Sequence, residues 1–476
     1  MNFIKVFSYS LGPILGGVLS FITLPMVTWY FSPQDVGRLA LFQIFVSFSV
    51  MILSLGMHQA FVREYNTASN KSTLLISALL PSGILFLIIA SIYLLLPISL
   101  SNILFDINDI KISTSVLMVV FFALIINFLS HLLRMQERGY SYSLSIAMPK
   151  LALLVAILIS TIFLKTLEFQ VLMSAYVIAF AISFFTLLYL TKSVVFNVKK
   201  IDVRLLTKML IFGVPLVAGG VAYWGLTALD RVLLKELSTF EELAIYGVAS
   251  SIAGGAALLG VIFSSIWHPL VYRWVDEGIK LSNVERVIEC LALAVAFVWS
   301  VVGALSWVIE FFLPNEYVGI SYIVIACVAS PLLYLLSETT VIGIGISRKS
   351  IYSMYASLAA FLINLLLNYI LIPSMGAKGA SLSSAVAFFV FFTLRTEFSC
   401  FLWESIPRFK FYIFIITYLI ATVLTVLVEF EPNECFLIWI FVFLICVFMY
   451  RKRFLLEFRL ILDKRNKTNQ ESDKSC

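Results

Sequence analysis

The chain has 476 residues, of which 61% are hydrophobic and 13% are charged, whereas soluble domains carry roughly 45–50% apolar and 25% charged residues. A mean hydropathy of +1.02 excludes a soluble globular protein and predicts a chain embedded in lipid along most of its length. The formal net charge of +6 does not indicate a nucleic-acid partner, because the cations lie between apolar runs and in the segment after Tyr450.

Uncharged apolar runs follow one another along almost the whole chain, and crossing a bilayer takes about 20 such residues. They are continuous, as in helices, whereas β-barrel strands alternate in short segments. The predicted fold class is therefore an all-α integral membrane protein with about fourteen transmembrane helices. Their predicted cores lie near residues 9–31, 38–60, 73–99, 112–133, 144–164, 169–191, 210–236, 243–270, 288–310, 318–343, 351–373, 379–399, 411–428 and 435–450.

The distribution of cations predicts the orientation of these helices. An even number of spans places both termini on the same side of the membrane. If that side is the cytoplasm, all but six of the 33 Lys and Arg residues fall in cytoplasmic segments, as the positive-inside rule requires. The six others are Arg38, Lys111, Lys165, Arg231, Lys235 and Lys378. We therefore predict a multi-pass protein of the bacterial inner membrane with cytoplasmic termini.

An internal repeat predicts how the helices are grouped. The first helix opens with Gly12-Pro13 and the seventh carries Pro215 in a similar run of small residues. The turns that follow, at 32–35 and 238–242, both fit a capping box. Six spans per repeat give parallel six-helix lobes around a central cleft. The predicted lobes are residues 1–200 and 201–404, and residues 405–476 add two transmembrane helices and a basic cytoplasmic tail.

Several short motifs in the same order resemble the O-antigen and polysaccharide flippases of the multidrug/oligosaccharidyl-lipid/polysaccharide exporter superfamily. The resemblance covers at least residues 1–404. It rests on Gly12-Pro13, the turn from Phe31 to Gly37, the stretches Phe61 to Tyr65 and Leu229 to Tyr246, Trp267-His268-Pro269, and Asn364 to Ala380. It implies a cleft that opens alternately to either side. The implied activity moves an undecaprenyl-pyrophosphate-linked oligosaccharide, such as the O-antigen unit of lipopolysaccharide, from the cytoplasmic to the periplasmic leaflet.

Four cations are candidates for binding the anionic head of such a substrate. Arg231 and Lys235 are four residues apart, so they share one helix face near the external end of the seventh helix. They either contact a diphosphate or extend to the interface and pair with nearby acids. Arg63 and Arg273 follow the internal ends of the second and eighth helices. There they would attract an anionic head, although the positive-inside rule alone also places cations there.

Polar residues within or near predicted spans are further candidates. Asn364 and Asn368 lie one turn apart, where they either hydrogen-bond sugar hydroxyls or join neighbouring helices. Acids are costly in hydrocarbon, so Asp230 and Glu338 are candidates for ion coupling, together with Glu64 at the end of the second helix. The coupling ion would be H⁺ or Na⁺. We predict no other cofactor and no metal.

Three other functions compete with this interpretation. A lipid II flippase or an ion-coupled multidrug exporter of the same superfamily would share the architecture. The run from Val6 to Gln34, however, lacks both the Arg expected of the former and the acid expected of the latter. A membrane glycosyltransferase or polymerase would need catalytic residues in a sizeable external loop, where only Asp106 and Asp109 qualify. We therefore predict a transporter and not an enzyme. Its expected partners are the lipid-linked oligosaccharide and a polysaccharide polymerase with its chain-length machinery.

Fusions to alkaline phosphatase, which is active only outside the cytoplasm, test the orientation. Fusions after Asp106, Glu316 and Glu431 should be active, because each lies in a predicted external loop. Fusions after Lys200 and Arg286 should be inactive. Activity at Lys200 would contradict the orientation.

Overall fold

The computed structural model describes residues 3–68, 70–96, 99–164, 166–197, 202–277 and 281–451. In these ranges the chain consists of α-helices and two short 3-10 helices, with no β-strand, which confirms the all-α prediction. The α-helices are α1 Phe3–Tyr30, α2 Pro33–Leu53, α3 Met57–Glu64, α4 Lys71–Leu95, α5 Leu100–Phe105, α6 Ile110–Met135, α7 Gly139–Phe163, α8 Phe169–Val195, α9 Val203–Leu237, α10 Phe240–Asp276, α11 Leu281–Leu305, α12 Ile320–Thr340, α13 Ile342–Ile346, α14 Ile351–Leu402, α15 Phe409–Val428 and α16 Pro432–Met449.

Thirteen helices in the described part of the chain are long and apolar enough to cross a membrane. One of them, α14, has 52 residues and contains a break at Gly376, where φ is 52° and ψ is −127°. This backbone conformation favours glycine, because a Cβ atom would be strained there. Counting α14 as two spans gives fourteen long helices. The predicted number of transmembrane helices is therefore confirmed.

The second predicted helix, 38–60, is broken. Helix α2 ends at Leu53, Leu55 and Gly56 adopt left-handed φ values of 49° and 68°, and α3 then begins at Met57. At this break the backbone of Gly56 approaches Gly213 of α9 closely, and a Cβ atom at position 56 would collide with it. The periodic apolar pattern continues through the break and so conceals it.

The two predicted capping turns are present in part. Ser32 caps α2 by accepting a hydrogen bond from the Asp35 amide at 3.2 Å, while the Asp35 carboxylate pairs with Arg38 at 2.8 Å. Thr239 accepts a hydrogen bond from the Glu242 amide at 3.3 Å before α10. In both turns the hydroxyl satisfies a free amide of the first helical turn, as the sequence predicted.

The chain divides into two compact units, Met1–Val248 and Ala249–Cys476. In the first unit, α9 packs against α2, α3 and α4. The grouping into lobes 1–200 and 201–404 rests on the sequence repeat and stays a prediction.

Small residues join α1 to α7 in the first unit. The Gly12 amide donates to the Ser143 hydroxyl at 2.9 Å, and this hydroxyl donates to the Ser8 carbonyl. Since Ser8 lies four residues before Gly12, the serine bridges a donor and an acceptor that are spaced like a helical pair. A Cβ atom at position 12 would lie 2.6 Å from the Cα of Ser143. The Gly12-Pro13 motif thus has a packing role.

Gly12→Ala should destabilise the protein by about 1–3 kcal/mol, the usual cost of overpacking. The matched control is Gly83→Ala in α4, where a Cβ atom would meet no other atom within 4 Å. That change should be neutral or stabilising, because alanine favours helix by about 0.5–1 kcal/mol over glycine. Thermal unfolding of the detergent-solubilised protein measures both. Equal effects would contradict the packing role of Gly12.

Candidate functional site

Lys235, near the end of α9, is held by neighbouring acids. Its side chain is 14% exposed, and its Nζ lies 3.0 Å from Glu236 and 3.4 Å from Asp106. It also donates to the Ile103 carbonyl at 3.2 Å. A diphosphate would have to displace these acids from Lys235. Of the predicted pair, Lys235 is therefore less favourably placed than Arg231 to bind a diphosphate. Arg231 is half-buried one turn earlier on α9. Binding of a diphosphate by the pair stays a prediction.

The start of α10 is bound to the start of α2 within the first unit. Gln34 donates to the Glu241 carboxylate at 2.7 Å. The Arg38 guanidinium lies over the Phe240 ring, 5.1 Å from its centroid. The backbone of Phe240 also approaches Gly37 so closely that a Cβ atom there would collide with it. The two predicted capping turns are therefore in contact.

The other end of α9 is bound to α3 by an ion pair. The Glu64 side chain is 11% exposed and its carboxylate lies 2.6 Å from Lys208 Nζ. The neighbouring Arg63 side chain is 57% exposed, with its guanidinium 4.3 Å from the Phe212 ring centroid. Arg63 therefore presents its charge to an incoming anion more readily than Lys235 does. Lys208 was counted among cytoplasmic cations, and the sequence did not reveal its pairing with an acid 144 residues earlier.

The hydrogen bond from Lys208 holds the pKa of Glu64 below its usual value, against the opposing effect of burial. A carboxyl with a lowered pKa in the folded state contributes stability above its ordinary pKa and loses it as the pH falls through the lowered value. Glu64 thus stays ionised at neutral pH. This does not favour it as a proton carrier, and its predicted coupling role stays untested.

Glu64→Gln should lower the free energy of unfolding by about 1 kcal/mol or less at pH 7, since Lys208 is largely exposed and water screens the pair. The difference from wild type should shrink below about pH 4, near the ordinary glutamate pKa, and at high salt. Thermal unfolding across pH measures it, with the exposed Glu404→Gln as control. A difference that is independent of pH would contradict the ion-pair explanation.

Asp230 of α9 is fully buried and accepts a hydrogen bond from the hydroxyl of Tyr246 in α10. A neutral donor satisfies one carboxylate oxygen without adding a charge. The predicted coupling role of Asp230 remains compatible with this arrangement and stays a prediction.

Glu338 of α12 lies at the centre of a buried polar network in the second unit. Its side chain is 5% exposed, and its carboxylate lies 2.8 Å from Arg395 of α14 and 3.2 Å from His268 Nε2 of α10. Arg395 also donates to Ser337 at 2.7 Å, and its guanidinium lies 4.9 Å from the Phe391 ring centroid. A carboxylate between a permanent cation and a histidine can exchange a proton with the histidine.

The sequence singled out Glu338 but not its partners. Arg395 was expected in a cytoplasmic segment, yet α14 continues to Leu402, so Arg395 lies inside a long apolar helix. A single cation in such a run is a signal that it has a partner, although it does not say which one. His268 was noted only as part of a family motif.

Arg395→Gln should destabilise the protein by about 3–5 kcal/mol, because removing one member of a buried pair leaves the other charge without its main partner. The double variant Glu338→Gln with Arg395→Gln should recover most of this loss. Arg204→Gln, at an exposed arginine, controls for the loss of positive charge. Thermal unfolding of these four proteins and of the single variant Glu338→Gln measures the coupling, and additive losses in the double variant would contradict it.

The remaining candidates have opposite surroundings. Asn364 is fully buried, donates to Ser384 at 3.2 Å and accepts from Asn368. The bond to Ser384 connects the two halves of α14 and favours the interpretation that Asn364 joins helices, whereas the bond from Asn368 lies within one half. Arg273 lies exposed in the last turn of α10. Substrate binding by Asn364 and by Arg273 stays a prediction.

These helices have the arrangement of a multi-pass membrane transporter. The lipid II flippase MurJ, in an inward closed conformation, superposes with a TM-score of 0.69 and 16% identity, covering 95% of this chain and 99% of that chain. A multidrug resistance transporter of the MATE family and MOP superfamily, in an inward-facing conformation, gives a TM-score of 0.56 and 14% identity, covering 83% of this chain and 95% of that chain. The predicted fold is therefore confirmed, since the helices are arranged as in these two proteins.

The family of this chain is identified by a match between its sequence and a family model. The family model described as polysaccharide biosynthesis protein matches residues 4–271, more than half of the chain, so the chain belongs to that family. No curated protein sequence matches the chain.

Proposed function

We propose that this protein is a flippase for an undecaprenyl-pyrophosphate-linked oligosaccharide, the repeat unit of O-antigen or of a similar surface polysaccharide. It moves this lipid from the cytoplasmic to the periplasmic leaflet of the bacterial inner membrane by alternating access. The observation that carries the proposal is membership of the polysaccharide biosynthesis family in a chain with a transporter fold and fourteen long helices. We expect such a chain to move an intermediate of polysaccharide synthesis across the membrane.

The physical need for a flippase follows from the substrate. A pyrophosphate and several sugars cannot cross hydrocarbon unaided, because buried charges and polar groups are costly without partners. The protein must therefore supply cations for the phosphates and hydrogen-bonding groups for the sugars. Arg63 and Arg273, both exposed, are our candidates for attracting the anionic head.

Energy for transport would come from an ion gradient, and the network around Glu338 is the best-supported coupling site. It combines a buried carboxylate with the imidazole of His268, whose Nε2 lies 3.2 Å away, and histidine commonly acts as a proton shuttle in proteins. We propose H⁺ as the coupling ion. Arg395 pairs with the same carboxylate at 2.8 Å, so the proposed coupling site consists of one acid, one permanent cation and one histidine.

The same superfamily includes multidrug exporters. Because they share this fold, the fold alone does not distinguish export of a lipid-linked oligosaccharide from export of drugs. The family description favours polysaccharide export over drug export. The likeness to a lipid II flippase rests on 16% identity and supports the fold alone. A polymerase and chain-length machinery would use the translocated product and are the proposed partners.

The test is deletion of the gene in its native strain, with any second flippase also removed. Surface polysaccharide should fall to background, and lipid-linked oligosaccharide should accumulate where a membrane-impermeant oxidant applied to spheroplasts cannot reach it. Plasmid-borne wild type should restore surface polysaccharide and remove the accumulated lipid-linked oligosaccharide. A variant that inserts poorly into the membrane shows how far both readouts depend on the amount of inserted protein.

Normal surface polysaccharide in the deletion strain would contradict the proposal. If drug sensitivity rose while polysaccharide stayed normal, the exporter function would replace it. If depletion instead caused lysis with accumulation of lipid II, the lipid II function would replace it.

A further inference from the structure

Lys150, which the orientation prediction counted among the cytoplasmic cations, lies near the middle of α7, a helix long and apolar enough to cross a membrane. It lies eleven residues after Gly139, the first residue of α7, which is about 16 Å along the helix. Its Nζ donates to the Gly16 carbonyl of α1 at 3.0 Å. Among the residues that the structure describes, no carboxylate pairs with it. This distinguishes Lys150 from Arg395, which pairs with Glu338, and from Lys235, which pairs with two acids.

The surroundings of Lys150 hold its ammonium group in place without neutralising it. The Gly16 carbonyl also accepts a hydrogen bond from the Ser20 hydroxyl at 2.9 Å. A Cβ atom at position 16 would lie 3.4 Å from the Lys150 Nζ and 3.5 Å from its Cδ, so the lysine side chain lies in van der Waals contact with this turn of α1. An ammonium has three donors, and one carbonyl occupies one of them.

A charge in this position requires a further explanation. Ionisable residues inside membrane spans are costly and usually serve a functional site. Lys150 is partly exposed, so its ammonium can accept a second ligand, and the chemistry that suits an unneutralised cation is an anion. A pyrophosphate offers several charged oxygens, and hydrogen bonds between two charged groups are the strong ones.

We infer that Lys150 binds the pyrophosphate of the lipid-linked substrate while its head is within the membrane. The inference rests on the proposed function and adds a binding residue to it. The Gly16 carbonyl positions the ammonium, and the remaining donors contact phosphate oxygens.

Three variants separate charge from hydrogen bonding. Lys150→Arg keeps the charge, Lys150→Gln keeps a donor for Gly16 but loses the charge, and Lys150→Met loses both. Lys192→Gln is the matched control, because Lys192 is exposed at the end of α8 with its Nζ 4.4 Å from the Tyr189 ring centroid. Unfolding temperatures without ligand show whether each full-length variant is folded.

The measurement is the affinity of the detergent-solubilised protein for undecaprenyl pyrophosphate, with undecaprenol and inorganic pyrophosphate as comparison probes. Affinity for undecaprenyl pyrophosphate should fall about tenfold to hundredfold in the Gln and Met variants, as expected for a charge-assisted contact. The Arg and Lys192→Gln variants should retain most of it. Affinity for undecaprenol should be the same in all variants, because it carries no phosphate.

Four results would overturn the inference. Wild-type affinity in Lys150→Gln with loss only in Lys150→Met would leave Lys150 a neutral link between α1 and α7. Equal affinity in all variants would remove it from the site altogether. Inorganic pyrophosphate that binds as tightly as the lipid, and depends equally on Lys150, would assign the site to a free anion. If the wild type bound no undecaprenyl pyrophosphate at all, the proposed function would fail and the inference with it.

Discussion

Hydrocarbon offers no hydrogen bonds, so a polar group within a span of this protein must find its partner in the protein itself. Most hydroxyls meet this constraint within their own helix, as when Ser183 donates to the Ala179 carbonyl at 2.7 Å and Thr422 donates to the Tyr418 carbonyl at 2.9 Å. Such bonds form within a single helix, so they fix the rotamer of the Ser or Thr side chain but do not determine how helices pack. Some charged and amide groups instead find partners on another helix or on the other half of α14, as Glu338 does in Arg395 and Asn364 does in Ser384, and these partners determine which helices are joined.

The same constraint ranks the candidate residues by what their surroundings already supply. The asparagines of α14 and the carboxylate of Glu338 have protein partners, so they hold helices together whatever else they do. Lys235 is neutralised by acids, which leaves less of its charge for a ligand. Arg63 lies 3.9 Å from the Glu64 carboxylate but is 57% exposed, so its charge remains accessible. Lys150 keeps more of its charge because, among the described residues, its hydrogen-bond partner is a carbonyl oxygen.

The sequence predicted the spans because apolar length is a local property that each segment carries by itself. The break before α3 and the partners of Glu338 could not be predicted in this way. Gly56 meets Gly213, and Glu338 meets Arg395, through contacts between residues 57 or more positions apart, and one sequence does not record such distances. The sequence identified Glu338 as an acid inside a span and a coupling candidate, but it predicted no partner for it. The identity of that partner depended on where α14 ends, seven residues later than Arg395.

The corner at Gly376 gives α14 a mechanical property. It joins two spans without a loop, and Gly379 lets the second half pack closely against the first, since a Cβ atom there would lie 2.6 Å from the Leu371 carbonyl oxygen. The bond from Asn364 to Ser384 joins the same two halves further along. Because the two spans contact each other at Gly379 and again between Asn364 and Ser384, they form one rigid helical hairpin. In the proposed alternating access, this hairpin would therefore move as one rigid body, and the bending would occur at other joints of the chain.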